Sequence, residues 1–181
     1  MKISSAIILS FLFFSQCFAM NAGLIWGKDH SYALQAPKGW VLDNKAGVGQ
    51  GSQAVFYPKG GSWAKSPAVM YTTVAMVNSY HKTIDQVVNH TFKKFKAASP
   101  NIKVRDHKVI KIGKKKAIIK EWVNNLKNYE VVAYIQESNV VVIVTLTSKD
   151  KEKFKQSLKS FYELIRSYKY ISDKVKYSTP K

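Results

Sequence analysis

The chain has 181 residues, with 29 lysines and arginines against 11 aspartates and glutamates, a formal net charge of +18. Its single cysteine excludes a disulfide scaffold, and its length suits one domain standing on its own hydrophobic core. A balance this basic points to anionic partners or to a highly solvated surface, and it says nothing about fold.

The N-terminus carries an export signal. Lys2 supplies a positive start, Ala6 to Phe14 is apolar, and Cys17-Phe18-Ala19 puts small residues at both positions that a leader peptidase reads. The apolar run is well short of the roughly 20 residues that span a bilayer. Cys17 follows Gln16, which does not suit lipid attachment. The expected organisation is a signal peptide over 1–19, one domain over 20–170 and a basic polar tail over 171–181. Cleavage after Ala19 leaves a chain that starts at Met20, holds no cysteine and no membrane-spanning segment, keeps a charge of +17, and works in the periplasm or outside the cell.

In chain order, Ser31 to Ala36 reads as a short strand stopped by the turn tripeptide Pro37-Lys38-Gly39. Trp40 to Asp43 is extended, Asn44 to Ser52 is a glycine-rich loop, and Gln53 to Tyr57 is a further strand. A polar loop, Pro58 to Pro67, leads into a β-branched strand over Ala68 to Val77. Thr83 and Gln86 form a capping box ahead of a helix whose apolar face is Ile84, Val87, Val88, Phe92 and Phe95.

Four strand-like stretches follow: Lys103 to Ile112, Lys115 to Val123, Tyr129 to Glu137 and Val140 to Leu146. The short breaks between them predict a meander of antiparallel hairpins. The last stretch is continuously apolar, which places it at a sheet centre with both faces buried. Ser148 is the expected cap of a second helix with Phe154, Leu158, Phe161, Ile165 and Tyr168 inward and Lys151, Lys153, Lys155 and Lys159 outward. Strands, helix, strand meander, helix is an α+β order, an antiparallel sheet flanked by helices.

The opening Tyr32-x-x-x-x-Pro37-x-Gly39-Trp40, the glycine-rich loop, the segment around Phe56-Tyr57-Pro58 and the closing amphipathic helix resemble the PsbP-like fold. That group includes photosystem II extrinsic proteins, a Ran-binding nuclear transport factor and bacterial envelope proteins. The resemblance implies an α/β/α sandwich and a non-enzymatic binding or assembly role, here in a bacterial exported member. It transfers no site residue.

Few residues suggest catalysis. Gly60-Gly61-Ser62-Trp63-Ala64 is superficially like a nucleophile elbow, but that motif needs a strand-to-helix turn in a parallel sheet. A small secreted hydrolase using the loop around Ser62 is therefore the alternative reading, and no catalytic residue is assigned. His30, His81, His90 and His107 are scattered, so neither a metal site nor a cofactor is expected. The glycines at 47, 49 and 51 precede no helix, which argues against nucleotide binding. Trp40 and Trp63 adjoin loops and could line an apolar ligand cleft, with core packing as the competing role.

The basic cluster is the leading candidate. Between Lys93 and Lys120 lie eleven basic residues and one acid, Asp106, so this stretch holds +10 of the charge. Lys103, Arg105, Lys108, Lys111, Lys114, Lys115 and Lys116 are the candidate anion-binding residues, on a hairpin with its tip at the last three. Only Arg105 and Arg166 are arginines, and lysine is a mobile point charge that does not read bases bidentately. The expected partner is thus an acidic protein or an anionic surface of lipid or polyanion, without sequence-specific nucleic-acid recognition.

Overall fold

The computed structural model describes residues 22–78, 82–125 and 128–174. The leader and its cleavage site, His81 and the end of the tail lie outside the described residues. The strands are β1 (Ala22–Gly27), β2 (His30–Gln35), β3 (Trp40–Asp43), β4 (Ala54–Pro58), β5 (Ala68–Met76), β6 (Lys103–Ile112), β7 (Lys115–Asn125), β8 (Asn128–Gln136), β9 (Val140–Ser148) and β10 (Lys169–Ser172); the helices are α1 (Ile84–Lys96) and α2 (Lys151–Arg166).

The meander forms as its spacing requires. Gly113 takes φ 56° in a two-residue turn, the positive value that tight hairpins favour, and sets Ile112 opposite Lys115. Strands β6 to β9 then pair antiparallel in succession, and β9 pairs onward with β5. The seven-stranded order is β3-β4-β5-β9-β8-β7-β6, so the continuously apolar β9 is the middle strand.

Alternation along β8 and β9 feeds two cores. Val131, Ala133, Ile135, Val142, Val144 and Leu146 join Phe154, Phe161, Leu164 and Ile165 of α2. On the opposite face Val132, Tyr134, Val141 and Trp122 join Ile84, Val87 and Val88 of α1. Each fully buried aliphatic or phenyl side chain contributes about 1.5–3 kcal/mol, so helices on both faces are needed to bury this strand pair. The result is the α+β sandwich, an antiparallel sheet flanked by helices.

The α1 cap is as the sequence predicts: Gln86 N donates to Thr83 Oγ1, and Thr83 N donates to Gln86 Oε1. The α2 cap differs. Asp150, not Ser148, accepts from Glu152 N and Lys153 N at 2.8 and 3.0 Å. Ser148 is the last residue of β9, and its hydroxyl reaches Pro67 O at 2.7 Å. A carboxylate also complements the helix dipole, which a hydroxyl cannot.

Two further departures concern the ends. The sequence pattern does not signal β1, which pairs with β2 in a separate three-stranded sheet, β1-β2-β10. The polar segment after Tyr170 reads as tail, yet β10 runs to Ser172 against β2. Tyr168, placed by its spacing on α2, lies past the helix end and is buried by this small sheet, 5.7 Å from the Tyr32 ring centroid. Ile25, Tyr32 and Leu34 bring the small sheet into the same core as α2.

Candidate docking surface

The pleat divides the seven basic candidates. Strand β6 alternates so that Lys103 and Arg105, and beyond a bulge Lys108, share the face that α2 covers. Lys111 and Lys116 point to the opposite face, and Lys114 sits in the turn. The seven residues therefore do not form one surface.

The cations also differ in whether a partner holds them. Arg105 donates to Glu121 at 2.9 Å, and Lys108 Nζ lies 4.9 Å from the Tyr162 ring centroid on α2. Lys120 pairs with Asp106 at 2.6 Å. Lys115 pairs with Glu137, whose side chain is 1% exposed, and also lies over the Tyr170 ring. Lys115 is exposed, yet its ammonium is engaged by a buried carboxylate, which ties it into the fold. What remains exposed beyond the cover of α1 is Lys111 directly opposite Lys116, with Lys114 at the turn. No carboxylate among the described residues pairs with any of the three. Val109, 57% exposed, shares their face on the side away from the turn and gives it an apolar border.

Behind the hairpin lies a polar network that sequence reading missed. Tyr168 Oη donates to Glu137 Oε1 at 2.9 Å, so the carboxylate is held from both sides. Burial first, and then the Glu137 charge, push the Tyr168 hydroxyl far up, keeping it a donor. Asn139, two residues further on, donates to Asp29 O and accepts from Tyr170 Oη. The β8–β9 turn is thereby tied to the small sheet. The only signal for this was an acid in an otherwise apolar stretch.

A second chain runs through the small sheet. Tyr32 Oη donates to Gln53 Oε1 at 2.8 Å, which turns the Gln53 amide nitrogen toward His30 Nε2 at 2.7 Å. That nitrogen accepts, so the proton sits on Nδ1, which is buried without a partner. Burial holds the His30 pKa below its ordinary value, against the opposing charge of Asp29. His107 instead stacks on Tyr162 at the surface. Among the described residues no group of three or more metal-ligating side chains converges.

The tryptophan cleft is half as expected. Trp40, 7% exposed, belongs to the core and also floors a cleft of about 700 Å³ bounded by Pro58, Ser62 and Ser66 on one side and Lys153 and Ser160 on the other. The type II turn before it places it there: Trp40 N donates to Pro37 O, and Gly39 takes φ 81°. Trp63 is absent from the cleft and packs edge-on against Tyr71 instead. Ser62 N donates to Ser66 Oγ at 3.1 Å, and the cleft lining includes neither histidine nor carboxylate. Ser62 is thus a loop-closing residue in its immediate bonding.

No protein-family model and no curated protein sequence matches the chain. Solved structures do. The Ran-binding protein Mog1p of Saccharomyces cerevisiae matches over 78% of this chain and 90% of its own, with 9% identity and a TM-score of 0.51. The fold resembles that of Mog1p. A mutant of Mog1 (10% identity, 78% of this chain, 91% of that one, TM-score 0.48) and cyanobacterial PsbP from Synechocystis sp. PCC 6803 (13%, 77%, 86%, 0.47) are also similar. The PsbP-like fold expected from the Pro37-Lys38-Gly39-Trp40 turn is the observed architecture, shared with Mog1p. At 9% identity Mog1p speaks for the fold alone.

Proposed function

We propose that the protein is an exported, non-catalytic docking protein that binds an acidic protein partner through the lysine face at the free end of the β6–β7 hairpin. One observation carries this reading. The hairpin neutralises Arg105, Lys115 and Lys120 with carboxylates but leaves Lys111 facing Lys116 across the strands, with Lys114 beside them. Like charges directly opposite in a sheet destabilise it by several tenths of a kcal/mol. An arrangement costly to the free protein is relieved when an acidic surface covers it. Val109 beside the lysines suits a protein surface better than a featureless polyanion. Mog1p, named as Ran-binding, uses a similar fold, so a protein-docking role suits the architecture. Export rests on the Lys2, Ala6–Phe14 and Ala19 pattern and is checked by the intact mass of the secreted chain, with Met20 as its expected first residue.

The test of docking is binding to polyglutamate followed against salt, because exposed charge pairs are screened over about 8 Å at physiological ionic strength. Replacing Lys111, Lys114 and Lys116 together with serine is expected to cost about 2 kcal/mol, roughly thirtyfold in affinity. Replacing Lys151, Lys153 and Lys155 removes equal charge from exposed α2 positions. Equal loss in both variants would reduce the effect to net charge and remove the hairpin as a site.

A further inference from the structure

The hairpin's outer strand offers something the lysine face does not. Among the described residues, β6 is the last strand of the seven-stranded sheet and pairs with β7 alone. Alternate residues of such a strand direct N–H and C=O groups away from the sheet, a ready template for another strand. Beside its first residues lies a groove of about 590 Å³ between α1 and β6. Phe92 of α1 and Ile102 and Val104 of the strand side supply its apolar floor, and Lys96, Asn89 and Asn101 its polar rim, while Lys103 and Arg105 border it through the strand and turn their side chains to the α2 face. Lys96 rests over the Phe92 ring, 5.7 Å from its centroid, and donates to Pro100 O. An ammonium has three donors, so it keeps capacity for an incoming anion. Lys103 is exposed, and the Arg105 side chain keeps 60% of its exposure while bound to Glu121. The register shift between Asp106 and Lys108 bends the strand just beyond, so the straight portion of the edge is the portion that borders the groove.

We propose that this groove receives an extended acidic segment of the protein partner, which adds a strand to the free edge of β6, seats an apolar side chain between Phe92 and Val104 on the α1 side, and presents its alternate residues, carboxylates, to Lys103 and Arg105 on the other face. A strand edge supplies affinity through main-chain bonds, and the pocket beside it supplies choice of side chain. An acidic segment is the occupant because the charged side chains beside this stretch of the edge, Lys96 on the α1 face and Lys103 and Arg105 on the other, are all cations. The proposal rests on the acidic-partner reading above and gives that partner a binding mode.

The probe is a fluorescein-labelled octapeptide of alternating glutamate and valine with one phenylalanine, titrated into the purified protein and read by anisotropy. Asn89→Trp fills the groove from an exposed position on α1 without changing charge. It is expected to weaken the peptide at least tenfold while thermal unfolding stays unchanged. N-methylating alternate peptide amides leaves the protein untouched, and one of the two registers is expected to lose at least tenfold while the other loses little. Binding that ignores Asn89→Trp and both methylated registers but falls in the Lys111, Lys114 and Lys116 serine variant overturns the groove and leaves hairpin docking standing. No binding of the peptide alongside normal binding of polyglutamate overturns the groove equally, and the lysines and bulge of β6 are then edge protection alone. Loss of both peptide and polyglutamate binding ends both readings. Tighter binding to phosphatidylglycerol vesicles, indifferent to Asn89→Trp, also overturns the groove and assigns the basic face to a membrane.

Discussion

Lys115, at the start of β7, holds the carboxylate of Glu137, which is buried at the end of the neighbouring strand pair and takes its second hydrogen bond from Tyr168. One lysine of the hairpin tip is therefore part of the framework, while its neighbours Lys114 and Lys116 face solvent. Removing Lys115 strands a buried charge, whereas removing the neighbours strands nothing.

Lys115→Ser is accordingly expected to destabilise the fold by about 2 kcal/mol, the scale for a buried charged acceptor left without its partner, moderated by the lysine's own half-exposed position. Lys114→Ser is expected to stay within about 0.5 kcal/mol. Chemical denaturation of the two single variants checks the contrast. Equal midpoints would mean that Glu137 is satisfied by Tyr168 alone.

His30 gives the stability a pH dependence of known sign. Its folded pKa lies below the ordinary histidine value of 6.5, with burial as the main cause. The unfolded chain therefore binds the proton more readily, and stability rises with pH through this window. The contribution is fully present above about pH 7, near the ordinary histidine range, and falls as pH drops below about 6.5 toward the folded value. The melting temperature is expected to decline from about pH 7 to about pH 5, and His30→Gln is expected to flatten that decline. The backbone-bonded Asp43, whose pKa is also lowered, acts near and below the ordinary carboxylate range, well separated from this window. An unchanged slope in His30→Gln would mean that His30 binds its proton equally well in the folded and unfolded states and that other groups cause the decline.

Trp40 tests the cleft against the core. Its indole is 7% exposed and joins the cluster around α2, so Trp40→Ala is expected to cost about 3–5 kcal/mol. Trp63→Ala, at a half-buried loop position, is expected to cost less. Thermal unfolding of both variants ranks them, and the reverse order would place the structural tryptophan in the loop.

The central meander was legible because its signals are local: Gly113 and the alternation in β8 each act within a few residues. The α1 capping box was legible for the same reason. The small sheet was not, because β10 is held by pairing across some 140 residues, as between Ser31 and Ser172, and β1, a local hairpin partner of β2, leaves Leu24 and Trp26 exposed and so shows no buried-strand pattern. The candidate surface was half legible. Charge density marked the hairpin, but a sequence run does not tell which lysines share a face. That is decided by the pleat and by the bulge between Asp106 and Lys108. The burial of Glu137 was hidden as well, since it depends on Tyr168 arriving from beyond α2.

The sharpest separation of stability from docking comes from Lys111→Glu. Lys111 lies directly opposite Lys116 on an exposed face, so a carboxylate there replaces a like-charge contact with an opposite-charge one. Cross-strand pairs of this kind are worth about 0.2–1 kcal/mol each, and the exchange is expected to raise stability by about 1 kcal/mol. For a domain of this size that is a rise of roughly 2–4 °C in melting temperature. Binding to polyglutamate moves the other way, since two units of positive charge are lost from the centre of the surface and the remaining lysine is engaged by its new neighbour. A variant that is more stable and binds more weakly is the signature of a surface kept at a cost to the fold. A variant that gains stability and binds polyglutamate as before would leave Lys111 and Lys116 as a cost without a purpose, and the docking surface would have to be sought elsewhere.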